Sequence, residues 1–234
     1  MPGSKRRGPK GRASPREVAR SAIGIADRDG LEAVSMRAVA AVVGLSAMGL
    51  YSYFPSKSEL VELMVDEVYT ELDLSYGSAT TWRERLKIVA RMNWGLFMRH
   101  PWLVSVEGHR PVLGPNVIAK YDFELHALVG TGLSDLQMDL VLAAVLDQVR
   151  GAARAKLDAT AVAARTGMDD AEWWAVRAPL LADVLGSSHA LAQRVGAAAG
   201  TAFDAPHDPD RAFGFAIELI LDGIGVLLAR ASPS

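Results

Sequence analysis

Apolar residues recur at intervals of three and four along most of the chain. No stretch alternates apolar with polar between turn residues, as a half-buried strand would. The pattern predicts an all-α protein of about ten helices. These fall near 14–29, 35–43, 46–53, 56–75, 81–99, 115–131, 134–158, 169–185, 188–199 and 209–230, with a short helical turn around 101–107. Four starts fit the reciprocal capping pattern, in which a hydroxyl accepts from the N3 amide and the N3 carboxylate or amide reaches back. They are Ser14 with Glu17, Ser56 with Glu59, Thr81 with Glu84, and Ser134 with Gln137. Pro15 suits a first helical position, and Gly30, Gly44, Gly77, Gly132, Gly167 and Gly186 fall at or just past the ends, where positive φ costs glycine least.

Within this series Met36–Tyr53 has the spacing of a helix-turn-helix. Ala40 is small where two helices would cross, Gly44 stands at the turn, and Leu50 would plug the second helix into a core with Val39 and Val43. Ser35 and Ser46 are natural N-caps, and Val18, Ala22, Ile25 and Ala26 give the preceding helix an apolar face. A generic helical hairpin would show the same small residues. At the other end, Ala212–Ala229 is almost wholly apolar, but Glu218 and Asp222 lie near its middle. Each acid there would cost roughly 2.5–3.5 kcal/mol in a bilayer, so a helix buried in a soluble protein is the expectation. Being apolar around nearly its whole circumference, it needs cover on all sides.

Charge changes the picture. The 234 residues carry a formal charge of −2, which alone says nothing about polyanions. Residues 1–60, however, hold ten Lys/Arg against five Asp/Glu, a net of +5, and the remainder carries −7. A basic head on an acidic body suggests that the head meets a polyanion, a solvated basic tail being the plainer alternative. The first sixteen residues have six bases and no acid, and no apolar run follows them as in a secretory signal. The division expected is a disordered basic arm over 1–13, a helix-turn-helix domain over 14–60 and a body over 61–234. Cysteine is absent, which excludes disulfides and thiolate chemistry.

The run Leu45-Ser-Ala-Met-Gly-Leu-Tyr-Ser-Tyr-Phe-Pro-Ser-Lys-Ser-Glu-Leu60 resembles the signature of the TetR family of transcriptional regulators, an LYxHFxSKxxL-type sequence closing the recognition helix. Gly30-Leu-Glu-Ala-Val-Ser-Met-Arg-Ala-Val-Ala is similar to the family's entry to helix two. His100-Pro-Trp-Leu, Gly114-Pro-Asn116 and the closing Phe213–Ile224 segment resemble a TetR-like C-terminal domain. The resemblance implies a sequence-specific regulator, a repressor released from a palindromic operator on double-stranded DNA by a small, largely apolar ligand. It implies a helix-turn-helix head on a larger bundle, a homodimer through the last helices, and a cytoplasmic protein that is not membrane-bound.

The same resemblance assigns residues. Ser35, Met36 and Arg37 would meet phosphate or a base edge from the start of helix two. Ser46, Ala47, Met48, Gly49, Tyr51 and Tyr53 would lie on the recognition helix, and Lys57 would bind phosphate. A helix N-terminus favours phosphate, Arg can grip guanine with two donors, and Tyr can donate to phosphate. The sequence departs from the family where Gln, Thr or Pro is usual. Ala47, Met48 and Gly49 cannot read bases by side-chain hydrogen bonds and are left with thymine methyls or a close approach. Direct readout would then rest mainly on Arg37, with DNA shape adding the rest. Tyr53 stands where His is common. Lys5, Arg6 and Arg7 of the arm would lie along phosphates or enter a minor groove, a solubility tail being the alternative.

For the body, mostly apolar walls with a few polar groups suit a ligand pocket. Candidates are Trp94, Phe97, Met98, His100, Trp102, Phe123, His126, Asp147, Arg150, Trp173 and Trp174, each with core packing as the plainer role. No phosphate loop, HExxH, GxSxG or paired-carboxylate motif occurs, and the five His show no ligand spacing. Catalytic residues, metal and cofactor are therefore expected to be absent. An enzyme built in the body and a DNA-binding regulator without a small-molecule ligand are the rival readings.

Overall fold

The computed structural model of the chain describes residues 13–106, 112–185 and 189–231. Ten α-helices and no strand occur among them. They are α1 (Pro15–Asp29), α2 (Met36–Val43), α3 (Ala47–Tyr51), α4 (Lys57–Val68), α5 (Trp82–Arg99), α6 (Pro115–His126), α7 (Asp135–Thr166), α8 (Asp170–Leu185), α9 (Ala190–Phe203) and α10 (Pro209–Ala231). Single 3-10 turns occupy Leu31–Ala33, Tyr69–Glu71 and Pro101–Ser105. The basic arm, His109 and Gly186 lie outside the described residues.

The caps explain most of the starts. Ser14 Oγ accepts from the Glu17 amide (3.3 Å) while Glu17 Oε2 accepts from the Ser14 amide (2.6 Å). Ser134 and Gln137 close the same loop, as do Thr81 and Glu84. Gly44 ends α2 in the left-handed conformation, φ 72°, where a Cβ would be strained. Several ends differ from expectation, among them α9, which runs to Phe203 rather than 199. α4 stops at Val68 and tightens into a 3-10 turn, so the helix expected to 75 is shorter. α6 ends at His126 rather than 131, and Gly130 and Gly132 then take positive φ. α7 runs eight residues past 158, through an Ala-rich stretch that favours helix, to a left-handed Gly167.

The chain divides into two compact units. The first comprises residues up to Ser75 together with Arg99–Phe123; the second comprises Tyr76–Met98 and Glu124–Ser234.

In the first unit α1 packs on α2 and α4. Val18, Ala22, Ile25, Ala26, Val39, Ala40, Leu50, Phe54, Leu60 and Met64 are buried, and Val43 is half-buried. Two acids on α4 are buried with partners. Glu67 Oε1 accepts from Arg20 Nε of α1 at 2.7 Å. Asp66 accepts from the Asn116 amide (2.9 Å), the Val117 amide (3.1 Å) and Asn116 Nδ2 (2.8 Å), so it caps the start of α6 from fifty residues away. Gly114 lies against this carboxylate so closely that a Cβ would stand 2.0 Å from Asp66 Oδ1.

In the second unit α7 and α10 form the main pair. Val141, Val145 and Val149 of α7 and Ile217, Leu221 and Ile224 of α10 are buried. The expectation that the last helix is buried holds on one face only. Phe215 (69% exposed), Leu219 and Val226 lie open on another face. α10 is long and apolar enough to cross a membrane, yet its two central acids are paired. Arg83 of α5 meets Glu218 and Asp222 at 2.7 Å each, and Lys87 meets Glu218 at 2.5 Å. The helix therefore packs on its own protein through those groups.

Two predictions follow from these contacts. Gly114→Ala should destabilise the chain by about 1–3 kcal/mol, because overpacking against a buried, fully engaged carboxylate has no cheap relief; denaturant unfolding measures it. Lys87 and then Arg83 hold the Glu218 carboxyl below its ordinary value of 4.5. A lowered carboxyl binds fewer protons folded than unfolded, so its stabilisation is complete above about pH 4.5 and is lost as the pH falls through the folded value. Glu218→Gln should lower Tm at pH 7 by roughly 1–3 °C and make the acid-side fall in Tm shallower in a pH 7-to-3 thermal series.

Candidate nucleic-acid interface

α3 is five residues long, too short to hold itself together. Its fixings are local and specific. Ser46 Oγ accepts from the Gly49 amide at 3.0 Å, and Ser52 Oγ donates to the Gly49 carbonyl at 2.6 Å. Leu50 is fully buried, and Phe54, just past the helix, is nearly so. Replacing a buried leucine by alanine costs about 2–5 kcal/mol, so Leu50 fixes both the position and the rotation of α3. Ser35 caps α2 in the same way, its Oγ accepting from the Ala38 amide at 3.1 Å.

These fixings sort the residues assigned to DNA. Ser35, Arg37, Ser46, Ala47, Met48 and Tyr51 are exposed, while Gly49, Tyr53 and Lys57 are half-buried. Met36 is turned into the core, 7% exposed, so it has a backbone amide rather than a side chain to offer at the start of α2. Lys57 Nζ donates to the Leu31 carbonyl at 3.1 Å, which ties the start of α4 to the turn before α2. Tyr53 stacks beside Phe54 with centroids 6.5 Å apart. Lys5, Arg6 and Arg7 fall outside the described residues.

A short second helix held by a buried plug after a capped turn, with Arg37, Met48 and Tyr51 exposed, has the build of a helix-turn-helix. Comparison with known proteins agrees. The family model described as "Bacterial regulatory proteins, tetR family" matches residues 17–64, spanning α1 to α4. A second, "Tetracyclin repressor-like, C-terminal domain", matches 77–228. The chain belongs to the TetR family. It is a DNA-binding transcriptional regulator, and its relatives are regulators rather than enzymes. It is 38% identical over 230 residues to the HTH-type transcriptional repressor DrrR1 of Streptomyces coeruleorubidus, covering 96% of this chain and 82% of that one. Among solved structures it resembles apo ActR of Streptomyces coelicolor (TM-score 0.70, 25% identity, covering 94% and 99% of the two chains). It also resembles ActR in complex with actinorhodin (TM-score 0.72, 24% identity, 92% and 96%).

The structure divides the residues singled out for a TetR-like pocket. His100, Trp102 and Phe123 belong to the first unit. There His100 Nδ1 lies 2.8 Å from Asp27 Oδ1 and Nε2 lies 3.0 Å from Glu71 Oε2, while Trp102 Nε1 donates to the same Asp27 oxygen at 2.8 Å. The buried His100 and Trp102, meeting exposed carboxylates, fasten the turn after α5 to the end of α1. In the second unit Trp94 stacks on Phe213 with centroids 4.4 Å apart, and the Arg150 guanidinium lies over Phe97 at 5.7 Å. Met98 is half-buried, and His126, Asp147 and Trp173 are exposed. Trp174 lines a cavity of about 670 Å³ between α8 and α9, facing Gly196 and Gly200.

Sequence reading missed a polar pair in the second unit. Asn93 Nδ2 donates to Glu124 Oε1 at 2.6 Å and to the Val89 carbonyl at 2.9 Å, and both side chains are buried. The signal was there: Asn93 occupies an apolar position in the series Leu86, Val89, Ala90, Asn93, Leu96, Phe97. A polar residue on the core face of a helix needs a buried partner.

If Arg37 meets a base and Lys57 a phosphate, binding data separate the two. Arg37→Ala should weaken operator binding by about 1–3 kcal/mol and relax preference at one base pair, whereas Lys57→Ala should weaken all sequences alike and lower the salt slope by about 1. Fluorescence anisotropy over a salt series with single-base operator variants measures both.

Proposed function

We propose that the chain is a cytoplasmic repressor that binds a palindromic operator as a homodimer and leaves it when a small, largely apolar ligand enters the body. The observation that carries the dimer is the double seam on α10. Ile217, Leu221, Ile224 and Leu228 recur at four, three and four and include the residues buried within the chain. Phe215, Leu219 and Val226 stand two residues out of step with that seam and are exposed, with Asp222, ion-paired to Arg83, between them. Seams two residues apart lie on nearly opposite sides of a helix. Trp173, Val176, Leu180 and Val184 make a similar open row on α8. Apolar rows of this length mark an interface, and two such helices from each of two copies would form a four-helix bundle. α7, by contrast, spends Val141, Val145 and Val149 inside the chain. A two-fold pair of heads calls for a two-fold operator.

Release by a ligand is supported by the ActR–actinorhodin complex, in a protein of the same fold, and by a cavity of a size usual for small-molecule sites. A ligand shifts the equilibrium only by binding the DNA-free form better. In the basic arm, Lys5, Arg6 and Arg7 would add phosphate contacts that carry no sequence information.

Genomic selection of DNA bound by the full-length chain should return an inverted repeat with half-sites about one helical turn apart. Phe215→Glu with Leu219→Glu, both open in the single chain, should convert a dimer to monomer in sedimentation equilibrium and weaken operator binding by more than about 100-fold. A non-palindromic site, or an unchanged dimer, would overturn the two-fold reading. Operator complexes unmoved by every compound that raises Tm in a metabolite panel would favour a regulator without a ligand.

A further inference from the structure

Before Tyr51, the start of α3, Ala47-Met48-Gly49, offers no side-chain hydrogen bond where a base-reading helix usually does, and its geometry singles out one residue. Successive residues of an α-helix turn by about 100°. With Leu50 buried, Met48 two positions earlier points about 160° away, almost directly opposite the core. It is 80% exposed, on a helix with its rotation already fixed. Ala47 and Gly49 flank it and carry no side-chain polar atom. A Cβ on Gly49 would meet the capping Ser46 Oγ at 3.2 Å, so the bare backbone here lets the helix keep its cap and sit close to a surface. Of the neighbouring hydroxyls, Ser52 donates to a carbonyl, while Ser35 and Ser46 are held at the helix starts by accepting from backbone amides.

From this we infer that Met48 is a specificity-determining residue that reads the C5-methyl group of thymine in the major groove. The inference rests on α3 being the DNA-reading helix. The thymine methyl is the one apolar group on the major-groove edges of the four bases. Methionine is unbranched and polarisable and adapts its shape to such a group. The half-site therefore has one or two thymines at its centre that are chosen by contact with a methyl, with Arg37 reading a separate position. A solvent-exposed methionine opposite the core contributes no packing to the free head, so changing it tests recognition apart from folding.

The experiment uses the full-length chain and duplexes enriched from a random-sequence DNA library. Each thymine of the enriched duplex is replaced in turn by deoxyuridine, which keeps every hydrogen-bonding group and lacks only the methyl. Binding is measured by fluorescence anisotropy for the unaltered chain, Met48→Ala and Met48→Leu, with Tm recorded for each. At one or two thymines per half-site, deoxyuridine should weaken the unaltered chain by about three- to tenfold. Met48→Ala should lose a similar factor on the thymine duplex and no longer distinguish the two bases, and Met48→Leu should keep most of the discrimination. Equal binding of thymine and deoxyuridine duplexes at every position, or undiminished discrimination by Met48→Ala, would overturn the assignment alone. Failure to enrich any duplex would overturn the DNA-binding reading and the assignment with it.

Discussion

A five-residue helix has no stability of its own, so the recognition surface of this protein depends on the burial of Leu50. That side chain joins α3 to a core made by α1, α2 and the start of α4, and it sets which way every other residue of α3 faces. Ala40 keeps α2 thin, and Gly44 turns the chain between α2 and α3. Ser46 caps α3 without enlarging it. The caps add about 1 kcal/mol each, whereas losing the buried leucine would cost several times more. The hydrogen bonds refine a position that apolar burial has already chosen.

The head is tied in turn to its unit by polar contacts. Glu67 receives Arg20 from α1, Asp66 receives the first amides of α6, and Asp27 receives Trp102 and faces His100. Asp66 and Glu67 are buried, and buried carboxylates without partners are expensive, so their contacts restrict the elements they join to one arrangement. Asp66 and Glu67 are neighbours on α4, one holding α6 and the other α1. Any movement of α4 relative to either helix has to break charge-assisted hydrogen bonds, which are stronger than neutral ones. The head therefore has few ways to move, and those few are shared between its helices.

Local chemistry was legible in the sequence, and distant pairing was not. The boxes at Ser14, Thr81 and Ser134 each lie within four residues and close as read. The spacing of Ala40, Gly44 and Leu50 located the helix-turn-helix because three small or apolar residues had to meet across one turn. Asp66 with Asn116, and Asn93 with Glu124, meet across fifty and thirty-one residues, and no periodicity announces such partners. His100 and Trp102 looked like pocket residues because polar and aromatic groups beside an apolar helix suit a cavity. Their partners, Asp27 and Glu71, were too far away in sequence to be read as such. The far end of α7 was also hidden, since nothing near 158 in an Ala-rich stretch signals either a stop or a continuation.

Exposed apolar side chains occur in two forms here, and the difference separates their meanings. On α8 they form a row three and four apart, and on α10 Phe215, Leu219 and Val226 lie open over about three turns, the kind of extended apolar surface that marks an interface. Met48 stands at the tip of a short helix, between Ala47 and Gly49, which are too small to build a patch with it. An isolated exposed methionine needs no partner for solubility, so solubility places no demand on what it meets. Its position does: it lies opposite the plug that orients the helix, and a head held on phosphates by cations brings that point against the floor of a groove. The rows support the proposed second copy of the chain. Met48, placed where apolar contact can distinguish bases, would give the paired heads part of their sequence preference.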